Sequence, residues 1–314
     1  MPMSEFGFIA SVRRLFESVP SNGFEGIGDD CAVFPFGEGE SLVFTTDLLA
    51  EEVHFLRRAT SPFLLGRKSL AVNISDVAAM GARPVASMLS LALPRELTGE
   101  WADEFMRGYH DMSEHYGVKL IGGDTTLSES GLTVNVVAIG RVPEGCIKRR
   151  SAACEGDVVM VGGRLGASAE GLRDILRGEY DTPNALIHKN PEPQVAEGIW
   201  LGSRHEVHAM MDISDGVASD LVHILEASHV GAVVDVESVP AVSDVGTAVC
   251  GGEDYKLLFT VAADKADGLR SEYAAAFGEA PFVIGRIVAS ESPAIEWRSG
   301  GRIITPDWHG FSHY

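Results

Sequence analysis

The sequence lacks the usual marks of membrane proteins and of zinc-stapled proteins. No apolar run in its 314 residues approaches the ~20 residues that a membrane helix requires. The opening stretch "MPMSEFGFIASVRRLF" has no apolar signal-peptide core. The four cysteines form no CxxC pair and have no histidine at the spacing of a zinc site. We therefore expect a cytoplasmic protein without membrane contact and without a structural metal site.

Positive charge is scarce. Lys and Arg number 25 against 45 Asp and Glu, a formal net charge of −20, and no long basic run offers a surface for phosphate backbones. Nucleic acid is therefore not an expected partner. Much of the acidity fits an ordinary solvated surface. With 45% apolar and 22% charged residues, the chain should be globular, and its length suits two domains.

Several well-known catalytic motifs are also missing. There is no Walker A loop, no GxGxxG fingerprint for a dinucleotide and no GxSxG elbow, and no Ser-His-Asp or Cys-His arrangement can be built from the residue order. These absences exclude P-loop nucleotide binding, NAD binding and the common hydrolases. The chemistry must lie in another pattern.

Apolar runs alternate with helical patterns along the chain. The runs at 41–47, 85–94, 132–142, 157–163, 231–236, 256–262 and 282–288 are typical of strands. Helices are predicted within 61–81, 98–117 and 214–231 from their caps and periodicity. The mixture predicts an α/β or α+β fold with domains at 1–145 and 146–314. The proline-rich segment 178–194 is predicted to be an exposed loop.

Five short acidic signatures, each with Asp beside Gly, Ser, Thr or Asn, follow or precede these elements: "GIGDD" (26–30), "TTD" (45–47), "NISD" (73–76), "IGGDTT" (121–126) and "DISDG" (212–216). Taken singly, each is an ordinary turn or helix cap. Taken together, they favour a site for Mg²⁺ or Mn²⁺, the hard cations that carboxylates and hydroxyls bind. Because Mg²⁺ commonly shares its ligands with phosphates, the pattern indicates a nucleotide substrate.

Glycine-rich segments supply possible phosphate contacts. "IGGDTT", "VGGRLGASAEG" and "CGGED" are predicted to be flexible loops whose N–H groups can meet phosphate oxygens, although the second also fits a plain strand-to-helix turn. Histidines are scattered. His54, seven residues beyond Asp47, is the one with a possible substrate role, although a lone histidine is more often capped or exposed.

Six motifs in order resemble the thiamine-monophosphate kinase family: "GIGDDCAVF", "TTDLLAEEVHF", "LAVNISDVAAMGARPV", "IGGDTT", "MDISDGVASDL" and "GGEDYKLLFT". The resemblance runs from Gly26 to the C-terminal "GFSHY". It implies ATP-dependent phosphorylation of thiamine monophosphate to thiamine diphosphate, with several Mg²⁺ ions. It also implies the fold of the aminoimidazole ribonucleotide synthetase superfamily, in which an N-terminal domain with a mixed sheet forms a barrel across a homodimer and a C-terminal α/β domain follows.

Carried over by motif, the resemblance implies residues for each ligand. The metal ligands would be Asp30, Thr45, Thr46, Asp47, Asp76, Asp124, Asp212 and Asp215. The nucleotide contacts would be Tyr109, Gly123, Asp124, Arg150 and Ser214, and the thiamine-monophosphate contacts His54, Glu253 and Phe311. Phe311 stands where the family often has Trp. "RRSAAC" departs from the family's Arg-Ser-Gly-Ala, which leaves Arg149 and Arg150 both open as the basic contact.

No general base is expected, because the accepting oxygen belongs to a phosphate that is already ionised. Two alternative functions remain open at this point. A different ATP-using member of the superfamily is one, although no reactive cysteine of the selenophosphate synthetase kind precedes Cys31, and the chain does not end in the cysteine of HypE. A Mg²⁺-nucleotide sensor without turnover is the other, since binding and turnover use the same ligands.

Overall fold

The computed structural model describes residues 5–311 and contains two mixed β-sheets with helices packed against them. This arrangement confirms the α/β class. The first sheet uses residues 32–143 and the second uses residues 158–304, so the predicted domain boundary at 145/146 falls between them and stays a prediction. Among the described residues, no helix has the length and apolarity that crossing a bilayer demands.

The N-terminal part holds three helices and a five-stranded sheet of order β1-β2-β5-β3-β4, in which only β3 and β4 run parallel. The elements are α1 (Glu5–Phe16), β1 (Ala32–Pro35), β2 (Glu40–Ala50), α2 (Pro62–Ala79), β3 (Arg83–Pro94), α3 (Glu100–Tyr116), β4 (Lys119–Ser128) and β5 (Thr133–Pro143). Helices α2 and α3 cover one face of the sheet.

The C-terminal part holds a seven-stranded sheet of order β12-β11-β8-β10-β6-β9-β7, in which β8 and β11 run parallel. Its elements are β6 (Val158–Val161), α4 (Ala167–Leu176), α5 (Pro183–Lys189), α6 (Val195–Gly202), β7 (Val207–Asp212), α7 (Val217–Ser228), β8 (Gly231–Asp235), α8 (Val245–Cys250), β9 (Leu257–Val261), α9 (Ala266–Phe277), β10 (Phe282–Val288), β11 (Ile295–Ser299) and β12 (Arg302–Ile304).

Helix α2 is the central element. Ser61 caps its first turn by accepting a hydrogen bond from the Leu64 N–H at 3.3 Å, and Pro62 occupies the first helical position, where its missing N–H costs nothing. Thirteen of its eighteen residues are buried, because the first sheet, α3, α6 and β7 all pack around it. A helix buried on nearly every side can carry polar side chains only where they are paired.

The predicted strands and helices are confirmed, with shifts of a few residues at their ends. Three expectations were wrong. "IGGDTT" is not a flexible loop but the middle of strand β4, and the segment 178–194 contains helix α5. The predicted helix within 214–231 should carry Asp215 in its first turn, but α7 begins at Val217 after a Gly216 cap and Asp215 precedes it. The last three residues of "GFSHY", at 312–314, lie outside the described residues.

Candidate active site

Three of the predicted metal ligands meet at one point. Asp30, Asp76 and Asp212 each place a carboxylate oxygen within 4.8 Å of the others. They come from the loop before β1, from the last turn of α2 and from the end of β7. Asp47 of β2 lies close enough to Asp76 and Asp212 to raise the pKa of both. The fold thus gathers four of the five acidic signatures that lie far apart in the sequence.

Neighbouring hydroxyl and amide groups orient these carboxylates. Thr45 donates to Asp76 Oδ2 at 2.5 Å, and Ser75 donates to Asp212 Oδ2 at 2.5 Å. Asn73 accepts from the Asp47 N–H at 3.0 Å. The sequence motifs single out Thr45 as a ligand but assign nothing to Asn73 or Ser75. Both belong to the motif "NISD", and their polar side chains next to Asp76 could have indicated that they hold the cluster.

Burial and mutual repulsion make the carboxylates hard to ionise in the ion-free protein. Burial raises the pKa of Asp47 to about 6. Burial, followed by the charge of Asp30, raises the pKa of Asp212 to about 7. Burial, followed by the charges of Asp47, Asp212 and Asp30, holds the pKa of Asp76 well above its ordinary value. Positive charge delivered into this cluster would reverse these shifts.

One protein cation already borders the cluster. Arg150 pairs with Asp30 through its guanidinium, and its backbone N–H donates to Asp29 Oδ1 at 2.8 Å. Arg149 points elsewhere and pairs with Glu25 at 2.8 Å on the surface. Arg150 leaves Asp30 Oδ2 buried with no hydrogen-bond partner among the described residues. A buried carboxylate oxygen without a partner is what an absent cation at this position would leave.

A second group of possible ligands behaves differently. Cys154, Asp157 and His208 also have ligand atoms within 4.8 Å of one another. Here the protein satisfies the carboxylate by itself, because His208 Nδ1 lies 2.9 Å from both Asp157 oxygens and the Cys154 N–H donates to Oδ2 at 2.9 Å. Asp157 therefore closes the turn before β6, which is a structural role.

A cavity of about 910 Å³ opens beside the aspartate cluster. Its lining includes seven of the predicted site residues: Asp47, His54, Asp76, Ser214, Asp215, Glu253 and Phe311. His54 accepts a hydrogen bond from the Ala50 N–H at its Nδ1, at 3.0 Å, which leaves the proton on Nε2. Phe311 is 51% exposed, and its N–H donates to the Asp215 carbonyl at 3.0 Å. The cavity lining thus combines acidic groups with an aromatic ring.

The turn at 212–216 is held by an aspartate that sequence reasoning missed. Asp220 of α7 is 1% exposed, and its Oδ2 accepts from the N–H groups of Asp215 at 3.2 Å and Gly216 at 3.0 Å. Gly216 has φ of 106°, and a Cβ there would lie 2.8 Å from the Val249 carbonyl. Asp220 is the fourth residue after the Gly216 cap. This spacing in the sequence could have indicated that its side chain reaches back to the turn.

Two predicted ligands lie on the other face of the first sheet. Successive side chains of a strand point to opposite faces of the sheet, so Thr46 lies on the face opposite to Thr45 and Asp47. Its hydroxyl donates to the Val136 carbonyl at 3.0 Å. Asp124 is exposed on the edge strand β4, and the strand register places it on the same side as Thr46. Three strand spacings, about 14 Å, separate β2 from β4. Within one chain, the structure does not bring Asp124 to the cluster.

Two predicted nucleotide contacts also lie away from the cluster. Gly123 neighbours Asp124 on β4, and its φ of 151° with a Cβ position 1.7 Å from the Leu89 carbonyl accounts for the glycine by backbone packing. Tyr109 is 1% exposed in the core of the N-terminal part, where its hydroxyl donates to Ser87 Oγ at 2.8 Å. Tyr109 lies on α3 as predicted but does not line the cavity, and its contact with a nucleotide stays a prediction.

Comparison with known proteins gives a consistent result. Residues 28–142 match the family described as AIR synthase related protein, N-terminal domain, and residues 155–298 match its C-terminal domain. The thiamine-monophosphate kinase of Salmonella typhimurium is 36% identical over 335 residues, covering 100% of this chain and 99% of the relative. That of Bacillus subtilis is 37% identical over 291 residues, covering 87% and 88%.

Solved structures agree. The structure of AaThiL complexed with AMPPCP and TMP superposes with a TM-score of 0.85 at 29% identity, covering 99% of this chain and 97% of the other. The thiamine-monophosphate kinase of Stenotrophomonas maltophilia superposes with a TM-score of 0.75 at 35% identity, covering 94% and 98%. The HypE–HypF complex, at 18% identity and a TM-score of 0.73 over 96% of this chain and 100% of the other, shares the fold.

The two domains and the aspartate cluster between them define an AIR synthase related protein. Within that class, the chain belongs to the thiamine-monophosphate kinase family.

Proposed function

We propose that this protein transfers the terminal phosphate of ATP to thiamine monophosphate and so forms thiamine diphosphate. The observation that carries the proposal is the arrangement of one cavity, which runs from Asp47 and Asp76 to His54, Glu253 and Phe311. Family membership over the whole chain supports it, and a structural relative was solved with AMPPCP and TMP. No observation favours a selenophosphate-type or HypE-type reaction over this one.

The acidic residues are the proposed ion site, and we infer that the ions are Mg²⁺. Oxygen donors from carboxylates and hydroxyls suit this ion, and the unpartnered Asp30 Oδ2 and the raised pKa of Asp212 fit a position for a cation. Asp30, Asp47, Asp76, Asp212 and Asp215 are the proposed holders, with Thr45 beside them. Bound Mg²⁺ would offset the repulsion between two phosphate groups and stabilise the charge that gathers on the transferred group.

The chain's own residues then bind and align. The attacking oxygen belongs to an ionised phosphate, so no side chain has to remove a proton, and direct in-line transfer is the simplest route. Arg150 sets a guanidinium at the border of the cluster, where a nucleotide phosphate can accept from it. Ser214 lines the cavity between the two aspartates of its turn.

The part of the cavity around His54, Glu253 and Phe311 is the proposed acceptor pocket. Thiamine monophosphate carries a cationic thiazolium ring, and an aromatic face such as that of Phe311 attracts a cation. His54 and Glu253 line the same region and can hydrogen-bond to the rings. The proposed contacts of Gly123, Asp124 and Tyr109 with the nucleotide, and that of Thr46 with an ion, have no support from the geometry of a single chain.

We also infer that the working protein is a homodimer. One face of the first sheet is covered by α2 and α3, whereas the other exposes apolar side chains, among them Leu48 at 56% and Met88 at 42%. The edge strand β4 is exposed along almost its whole length. Pairing of two such faces would bury this surface in a shared barrel. The four free thiols fit the reducing cytoplasm, which is the proposed compartment.

The test is a direct assay. Purified protein is incubated with Mg-ATP and thiamine monophosphate, and thiamine diphosphate is measured by the fluorescence of its oxidation product. The expected result is product that depends on both substrates and on Mg²⁺. If the protein binds ATP but forms no product, the kinase proposal fails and the nucleotide sensor takes its place.

A further inference from the structure

A buried lysine stands behind the glutamate of the proposed acceptor pocket. Lys68 of α2 is 1% exposed, and its Nζ lies 3.0 Å from each carboxylate oxygen of Glu253. The same Nζ lies 3.4 Å from the His54 carbonyl oxygen, so it touches two of the three proposed acceptor contacts. A buried ammonium is costly unless it is paired, and apolar residues of similar volume in place of both partners are often no less stable than a buried ion pair. The pair therefore calls for a role beyond stability.

Backbone geometry turns the glutamate toward the cavity. Glu253 has φ of 62° and Tyr255 has φ of 48°, unusual values for residues with side chains. Two hydrogen bonds hold this segment against the 212–216 turn: Glu253 N–H to the Ser214 carbonyl at 2.7 Å and Tyr255 N–H to the Ile213 carbonyl at 2.9 Å. Both side chains line the cavity, but that of Glu253 is 23% exposed whereas that of Lys68 is only 1% exposed. The negative end of the pair consequently faces the ligand.

The third member of the group carries no charge at neutral pH. His188 Nδ1 lies 3.2 Å from Glu253 Oε2 and 2.9 Å from Ser168 Oγ. Burial, followed by the charge of Lys68, lowers the pKa of His188 to about 4. Burial alone would raise the pKa of Glu253, but the charge of Lys68 lowers it overall. The Lys68 ammonium is thus the strongest of the groups that favour the ionised form of Glu253.

Helix α2 also contributes two polar side chains, Lys68 and Asp76, to the cavity lining. Asp76 follows Lys68 by eight residues, a rise of about 12 Å along the helix axis. One rigid element thus presents a proposed ion ligand at one end and the Glu253 partner at the other. The acceptor's phosphate belongs near the first and its rings near the second.

We propose that Lys68 is a positioning residue for acceptor recognition, which holds the Glu253 carboxylate in place and directed at the cationic thiazolium ring of the acceptor. This inference rests on the proposed function. It assigns to Lys68 an effect on acceptor binding that passes through Glu253, without contact to ATP or to the transferred phosphate.

The experiment compares Lys68→Met, Lys68→Arg, Glu253→Gln and the double variant Lys68→Met/Glu253→Gln in the full chain, with KM for each substrate and kcat measured separately. Lys68→Met should raise the KM for thiamine monophosphate about tenfold to a hundredfold, as expected for losing a hydrogen bond to a charged group, and change the KM for ATP less than about twofold. Lys68→Arg should recover most of the loss. Lys148→Met is the matched control, because Lys148 is 5% exposed but donates to the Arg204 and Val207 carbonyls away from the cavity.

The double variant makes the inference falsifiable even where Lys68→Met folds poorly, because it removes both charges of the pair. If Lys68 acts through Glu253, the double variant should match Glu253→Gln in acceptor KM. A further rise in the double variant, or equal rises for ATP and acceptor in Lys68→Met, would overturn the inference while leaving the kinase proposal intact. A wild-type protein that forms no thiamine diphosphate would overturn both.

Discussion

At the site, some side chains face the ligand and others hold those that do. Asp76 and Asp212 are proposed to bind ions. Thr45 and Ser75 each donate a hydrogen bond to the Oδ2 atom of one of these carboxylates and so orient its other oxygen. Asn73 likewise holds the backbone of Asp47. Asn73 and Ser75 are buried and Thr45 is partly buried, each with a hydrogen bond to the cluster, so their replacement would disturb the geometry of the cluster.

The aspartates of the 212–216 turn give the most direct test of the ion site. Replacing Asp212 and Asp215 together by Asn should lower kcat by orders of magnitude, since the amide carries no charge to hold a cation. The fold should persist, because Asn keeps the shape of the side chain and relieves the repulsion that raises the pKa of Asp212. Turnover measured beside circular dichroism checks both parts. Wild-type turnover in the folded double variant would remove these residues from the ion site.

Asp220 should matter for stability and for the turn it closes. Asp220→Ala leaves the N–H groups of Asp215 and Gly216 without their acceptor, and we expect a loss of about 1–3 kcal/mol in the free energy of unfolding. Asp220→Asn keeps an acceptor oxygen and should lose less. Urea unfolding of the two variants provides the measurement. Equal stability of the alanine and asparagine variants would show that the hydrogen bonds to Oδ2 contribute little.

Secondary-structure elements were predictable where local pattern decides them. The Ser-Pro start and apolar content of α2 located the helix, and β-branched runs located β5, β9 and β10. Strand β4 was missed because "IGGDTT" has the composition of a loop, and only pairing with β3 makes it a strand. Helix α5 was missed because prolines surround it, although Thr182 and Pro183 form a regular cap.

Residue contacts between elements were less predictable. Motif order gathered Asp30, Asp76 and Asp212 into one hypothesis, and the fold brings them together. The side of the sheet on which Thr46 and Asp124 lie depends on register, which a single sequence does not specify. The Lys68–Glu253 pair joins positions 185 residues apart, and no local sequence pattern predicts such a contact.

The uncovered face of the first sheet predicts a change of assembly. Met88 lies on β3 with its side chain on this face, so Met88→Glu places a charge in the proposed dimer contact. We expect a monomer by light scattering coupled to size-exclusion chromatography, where the wild type should elute as a dimer. Ile303→Glu is the control, because Ile303 is 63% exposed on β12 of the other sheet and should leave the dimer intact. A monomeric wild type would contradict the homodimer.

The whole molecule carries a formal charge of −20, and the fold concentrates part of it in one place. Asp30, Asp47, Asp76 and Asp212 lie together at the junction of the two sheets. Without a cation, ionising these groups opposes folding. The stability of the entire chain should therefore depend on pH and on divalent ions together.

The direction of the pH dependence follows from the raised pKa values. An acid whose pKa rises from 3.8 when unfolded to about 6 for Asp47, or about 7 for Asp212, binds its proton more tightly in the folded protein. The stability of the ion-free protein should then be greatest below pH 4 as far as these groups are concerned, and should fall as pH rises toward 7. A tenfold difference in proton affinity between the folded and unfolded chain corresponds to about 1.4 kcal/mol, so shifts of this size predict a loss of several kcal/mol between about pH 4 and pH 7.

Magnesium should reverse this loss where the carboxylates are ionised. Thermal unfolding in EDTA and in Mg²⁺ should show a larger rise in Tm at about pH 8 than at about pH 5, because bound ions compete with protons for the same oxygens. The Asp212→Asn variant should show a weaker fall in stability with pH and a smaller response to Mg²⁺. Na⁺ at matched ionic strength controls for screening of the surface charge. An equal rise in Tm at both pH values would place the Mg²⁺ effect outside the aspartate cluster, where protons and ions should compete for the same buried carboxylates.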